Sequence, residues 1–300
     1  MPVLEDGTMR ETMDELGHTN VSVAVDSYQR VVREYHPPRR GGRLRKILLE
    51  RDTGIPTDPD TVLPKNRNAE TLKNRDKEKP MNDKKSEPMV IALATGKGGS
   101  MKTTSAVFLA CALVDQSRGE QHVLVADADV QGDAKDWWYR AAELDDPLPF
   151  DVMSAAPADI AHLHELNGRL DEPVDWILID SAPYGRALDE AVNNADLVVI
   201  PSSPSRIDLD QAVGVKDLCD RRGIPAAILL CRTEANTTAL RDALAWIDAA
   251  DIACFETLIP KRQDILNAKS TRPRGSRLHE YRDLAGELKQ TMRQLKEEDR

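Results

Sequence analysis

The stretch that most constrains this chain is Val90-Ile91-Ala92-Leu93-Ala94-Thr95-Gly96-Lys97-Gly98-Gly99-Ser100-Met101-Lys102-Thr103-Thr104-Ser105. The apolar run Val90 to Ala94 suits a buried strand. Gly96, Gly98 and Gly99 then interrupt regular structure, and the residues from Lys102 through Ala110 read as a helix. Strand, glycine loop and helix N-terminus together aim backbone N–H groups at a phosphate chain. The spacing is that of G-x-x-x-x-G-K-[ST], with Met101 in place of the second glycine. A side chain at positive φ is costly, so the loop is expected to take a negative φ at Met101. Lys102 is spaced to reach the β/γ-phosphates and the Thr103 hydroxyl to ligate Mg²⁺, with Gly96, Gly98, Gly99, Ser100, Met101 and Thr104 completing the cradle.

Further apolar runs occur at 123–126, 176–179, 197–200, 226–230 and 252–255. Helical patterns lie near 102–118, 133–145, 157–170, 185–194, 208–222 and 236–250. This alternation predicts an α/β fold with a mostly parallel sheet and helices on both faces. Ligands bind such sheets outside the carboxyl ends of the strands. Two acidic segments fall at such ends: Asp127-Ala128-Asp129-Val130-Gln131-Gly132 and Trp176-Ile177-Leu178-Ile179-Asp180-Ser181-Ala182-Pro183. A carboxylate beside a γ-phosphate can orient water, and one at an apolar strand end can hold Mg²⁺ through water.

Charge is uneven along the 300 residues: the formal sum is +1 for residues 1–88, −15 for 89–260 and +4 for 261–300. So acidic a body argues against a general nucleic-acid coat, while the basic ends leave room for local phosphate contacts. Cys111, Cys219, Cys231 and Cys254 show no C-x-x-C spacing, so buried reduced thiols are expected rather than a metal or disulfide site. No signal peptide or membrane-length apolar run is evident, and a cytoplasmic protein is expected.

Residues 1–88 read as a polar extension. It holds helical patterns at 21–35 and 43–50, then a Pro-, Asp-, Asn- and Lys-rich linker at 52–88 that buries too little to offset ordering. Between Arg30 and Arg51 eight basic residues face two acidic ones, the composition of a solvated basic arm. A core domain is expected over 89–300, with its start near Met81 or Met89. Tyr281, Leu284, Leu288, Met292 and Leu295 form the apolar stripe of a final helix that packs on the sheet.

With Lys97 inside the loop, Lys-Gly-Gly-Ser-Met-Lys-Thr-Thr resembles the deviant Walker A motif of the ParA/MinD family of P-loop ATPases. The acidic segment at 127–132 is similar to the family's D-x-D-P-Q-G, with Val130 for proline, and Asp180 to its Walker B-like aspartate. The run 195–208, with Pro201-Ser202-Ser203-Pro204, looks like the short plasmid ParA proteins of the ParF type. The resemblance covers residues 89–298. It implies that Lys97 reaches the nucleotide of a second subunit and that Lys102 serves its own. Two ammonium groups on a triphosphate are physically sensible, each charge pair being worth roughly 4 kcal/mol at about 4 Å and an effective dielectric near 20.

By the same resemblance Asp129 positions the attacking water, Asp127 helps organise the Mg²⁺ shell, and Arg232 or Thr233 contacts adenine. The cofactors implied are ATP and Mg²⁺. The activity implied is ATP hydrolysis driving DNA partition, through an ATP-sandwich homodimer that binds non-specific DNA on the nucleoid. A centromere-bound partner protein would switch it off by stimulating hydrolysis, and no membrane is involved. Lys261, Arg262, Arg272 and Arg274 are the DNA-binding candidates, in a segment that also carries Lys269 and Arg277. Alternative readings are a MinD-like positioning ATPase and a non-hydrolysing nucleotide-binding regulator that binds DNA.

Overall fold

The apolar runs become strands with two buried faces. The computed structural model describes residues 87–168, 170 and 173–298. Its strands are β1 (Met89–Leu93), β2 (Val123–Asp127), β3 (Asp151–Ser154), β4 (Trp176–Asp180), β5 (Leu197–Ser202), β6 (Ala226–Thr233) and β7 (Ile259–Pro260). They pair in the order β3-β2-β4-β1-β5-β6-β7, and every pairing is parallel. Side chains alternate along each strand. Ile91, Leu93, Leu178 and Val199 enter one core, and Val90, Ala92, Ile179 and Val198 the other.

The helices are α1 (Lys102–Gln116), α2 (Asp133–Glu143), α3 (Pro157–Ile160), α4 (Arg186–Asn193), α5 (Arg206–Arg222), α6 (Thr238–Ala249), α7 (Gln263–Leu266) and α8 (Tyr281–Glu298). α1 is apolar nearly all round because it is covered nearly all round: every residue from Ser105 to Val114 is buried. The sheet lies on one side and α8 on the other. Tyr281 of α8 stacks against Phe108 with ring centroids 5.0 Å apart, and its hydroxyl lies 3.0 Å from Ser105 Oγ. Tyr281, Leu284, Leu288 and Met292 are all buried, as the stripe predicts, but the helix packs on α1 rather than on the sheet as expected.

Four local expectations are corrected. The run 252–255 is not a strand: Cys254 makes one isolated bridge to Ile228, and β7 lies further on. The Glu287 carboxylate accepts the next amides, of Glu256 at 2.6 Å and Thr257 at 3.0 Å, so they do not continue the ladder beyond that bridge. The helix expected over 157–170 breaks after α3 into a 3₁₀ segment, Leu163–Gly168. β3 was not expected: of its four residues only Val152 is fully buried, so no apolar run marks it. Met101 takes φ 70°, in the left-handed region, contrary to the negative φ expected. Its side chain is buried in the core beneath α1, and this packing offsets the strained backbone. The two helical patterns and the linker read in the extension lie outside the described residues.

The left-handed backbone gives a test that separates strain from packing. Both Met101→Ala and Met101→Gly lose the buried side chain, but only glycine relieves the φ. Denaturant unfolding should find both variants less stable than the parent, with Met101→Gly the more stable of the two by about 1 kcal/mol. The opposite order would contradict a positive φ at this position.

Candidate nucleotide and metal site

Loops after β1, β2, β4 and β5 open at one edge of the sheet, on neighbouring strands. The loop after β1 closes on itself. Thr95 Oγ1 donates to the Lys97 carbonyl at 3.0 Å and lies 2.6 Å from Ser100 Oγ. Lys102 Nζ donates to the same carbonyl at 3.1 Å. Lys102 is buried, and desolvation lowers its pKa, with Asp180 and then Asp129 pulling it back up. Met101 is the N-cap of α1 and offers no side-chain cap. The N–H groups of an uncapped first turn have no intrahelical partner and suit an anion.

Register puts the two strand-end carboxylates side by side, Asp127 of β2 opposite Asp180 of β4. Both are buried. Burial, then the Asp127 charge, pushes the Asp180 carboxyl up to about 8, opposed by Thr103 and Lys102. Neither Asp180 oxygen has a hydrogen-bond partner of proper geometry, so the nearby Thr103 hydroxyl tempers the charge without satisfying it. Asp127 is raised to about 6, mainly by burial, but its oxygens are occupied: Oδ2 accepts the Lys135 amide at 2.9 Å and Oδ1 the Asp129 amide at 3.3 Å. A buried carboxylate with orphaned oxygens beside a threonine hydroxyl fits a hard divalent cation bound through oxygen. Thr103 and Asp180 are therefore the residues that would hold Mg²⁺. Asp129 is half-buried, and its carboxylate accepts the Gln131 amide at 3.0 Å.

Lys97 turns away from this row and pairs with Asp208 on the first turn of α5. Asp208 also accepts from Ser203 Oγ at 2.7 Å. Sequence reasoning missed Asp208, although Ser205-Arg206-Ile207-Asp208 has the spacing of a helix capping box. Ser205 Oγ does accept the Asp208 amide at 3.3 Å. The return bond is taken by Ser203, whose Oγ accepts the Ser205 amide at 3.2 Å, and this frees the Asp208 carboxylate for Lys97. One turn on, Gln211 covers the loop so closely that a Cβ at Gly96 would lie 3.1 Å from its Oε1. Around the same edge Val130, Tyr184 and Ile207 are exposed.

The other expected residues lie apart. Arg232, exposed with φ 54°, and buried Thr233 end β6, two strands from β1. The basic candidates are mostly paired with acids: Lys261 with Glu234, Arg262 with Glu280, Arg274 with Asp146 and Lys269 with Asp133. Arg272 Nε is buried without a partner. Cys111, Cys219 and Cys231 are buried and Cys254 is half-buried; burial pushes every thiol pKa up, and no metal-binding cluster of His, Cys, Asp or Glu occurs among the described residues. No described helix is long and apolar enough to cross a membrane.

A seven-stranded parallel sheet with a lysine-rich phosphate loop at its carboxyl edge defines a P-loop nucleotide-binding protein. The sequence profile of the CobQ/CobB/MinD/ParA nucleotide binding domain matches residues 91–272, more than half of the chain, and the chain belongs to that family. The Maintenance of carboxysome distribution protein A of Gloeobacter kilaueensis is 37% identical over 115 residues, 37% of this chain and 48% of that protein. The chain thus matches about half the length of this relative. Two solved structures share the fold. A protein from Borrelia burgdorferi B31 assigned to plasmid partition, bound to AMPPNP, superposes with a TM-score of 0.54 at 17% identity, covering 68% of this chain and 100% of that one. The cell division ATPase MinD of Pyrococcus furiosus gives 0.53 at 18% identity, covering 68% and 99%.

The raised Asp180 carboxyl has a signed consequence. Its folded pKa lies above the ordinary carboxylate range, so the fold favours the protonated form. Nucleotide-free stability from this group is full below about pH 4 and is lost as pH rises towards 8. Asp180→Asn should therefore be more stable than the parent at pH 8 by more than about 1.4 kcal/mol, the worth of one pKa unit, and this gap should narrow towards pH 5. A gap independent of pH in denaturant titrations would contradict the desolvated carboxylate.

Proposed function

We propose that this chain is a Mg²⁺-dependent ATPase that closes into a homodimer on binding ATP, associates with DNA without sequence preference, and is released when a partner protein stimulates hydrolysis. The observation that carries the reading is the buried, unpartnered Asp180 beside Thr103 and Lys102 at the mouth of the loop. Lys102 leaves the Lys97 carbonyl for the β/γ-phosphates, and the first turn of α1 receives the phosphate chain. Mg²⁺ supplies neutralisation of charge on the phosphate oxygens. Asp129 orients the attacking water, and Arg232 or Thr233 borders the adenine.

For Lys97 to reach a second subunit it must exchange Asp208 for a phosphate. Exposed Val130, Tyr184 and Ile207 around the mouth suit a face that a second copy covers. Loss of the γ-phosphate removes the contacts that favour closure, and the closed state with them. In this reading the protein works in the cytoplasm, on the nucleoid.

A second reading, positioning of a protein cargo by the same ATPase cycle, is favoured by the name of the carboxysome-distribution relative and by the acid partners of Lys261, Arg262 and Arg274. DNA binding separates the two. Partition on DNA predicts ATP-dependent retention that falls steeply with salt, and retention that fails at low salt would leave cargo positioning in its place.

Three variants test the cycle. Lys102→Ala should lose MgATP binding by at least about 100-fold, and Lys97→Ala should bind MgATP but stay monomeric in light scattering. Asp129→Ala should dimerise with ATP and turn over at least about 10-fold more slowly. Normal turnover in Asp129→Ala would remove that residue from the chemistry.

A further inference from the structure

Lys135 lies outside every motif that the sequence offers, yet it stands beside the carboxylate row. Asp127 faces Ser154 of β3 on one side and Asp180 of β4 on the other. The Lys135 ammonium, half-buried on the first turn of α2, donates to Ser154 Oγ at 2.9 Å, which brings it to the Asp127 end of the row. Lys102 stands at the Asp180 end. The strand ends thus carry two buried carboxylates between two ammonium groups, one buried and one half-buried. Asp127 spends its oxygens on the backbone, one on the Asp129 amide and one on the Lys135 amide. One of these amides belongs to Asp129, inside the loop between β2 and α2, and the other lies on the first turn of α2 just beyond it.

We propose that Lys135 is a positioning residue: its ammonium, anchored on Ser154, is the countercharge that holds the Asp127 carboxylate across both ends of the 127–135 loop and so fixes where Asp129 presents its carboxylate. A buried anion deprived of its cation takes up a proton, takes up water or moves, and each change weakens its hold on the two amides. The division of labour follows. Asp127, compensated by Lys135, serves the loop, while Asp180 remains the carboxylate open to a cation. The proposal deepens the reading of Asp129 as the residue that orients water, and rests on it for its catalytic consequence alone.

The test uses the full chain and measures backbone amide exchange alongside turnover. In Lys135→Met the amides of Asp129 and Lys135 should exchange at least about 10-fold faster, with strand amides of β1 and β4 unchanged, and Lys135→Arg should restore most of the protection. The KM for MgATP should stay within about twofold while kcat falls about 10-fold. Ser154→Ala removes the anchor without removing the charge. It should loosen the same two amides to a lesser degree, and it carries the test if Lys135→Met does not fold. Parental exchange at Asp129 and Lys135 in these variants would overturn the proposal. So would faster exchange through the whole sheet with no rescue by arginine. If the parent protein hydrolyses no ATP, the catalytic reading of Asp129 fails, and the exchange measurement still decides the role of Lys135.

Discussion

Two carboxylates in register at the ends of neighbouring parallel strands repel each other, and burial makes the repulsion worse. The surrounding structure manages that tension. Asp127 is satisfied by backbone amides. Asp180 is left without a hydrogen bond, and only Lys102 and Thr103 oppose its desolvation. A globular domain stable by only about 5–15 kcal/mol carries such a group at real cost. The cost is understandable if a cation and a polyphosphate complete the site, since whatever binds only the folded form returns the stability by mass action.

The sheet makes the arrangement possible. Parallel pairing puts the carboxyl ends of β1, β2, β4 and β5 on one edge, so residues far apart in sequence meet there. The covering helices pack against the sheet behind that edge. α1 is wedged between the sheet and α8, and Tyr281 ties the two helices through Phe108 and Ser105. α5 reaches over the loop with Asp208 and Gln211, three residues apart and hence on one helical face. The phosphate loop is therefore gripped from its own helix on one side and from α5 on the other.

Much of this was legible in the chain. Continuous apolar runs marked the central strands because both of their faces are buried, and the glycine–lysine loop marked the site. Strand ends were the natural positions for Asp127 and Asp180. What escaped were features set by tertiary contact. β3 is an edge strand with little apolar content. The segment 252–255 has strand composition but loses neighbouring amides to Glu287 from a distant helix. Met101 takes a backbone angle that sequence rules disfavour, because its side chain finds a place in the core. Asp208 and Lys135 look like ordinary charged residues of helix first turns, and only the fold brings them to the loop and to the carboxylate row. Conversely, Lys261, Arg262 and Arg274 read as a basic cluster in sequence, but acids from other segments neutralise them in space.

The central claim is that Asp180 and Thr103 await a divalent cation carried with a triphosphate held by Lys102. Titration calorimetry of the full chain with ATP, in the presence and in the absence of Mg²⁺, tests it most directly. The account predicts saturable binding that weakens at least about 10-fold when Mg²⁺ is withheld, a change of at least about 1.4 kcal/mol. Equal affinity with and without the cation, or no binding at all, would contradict it.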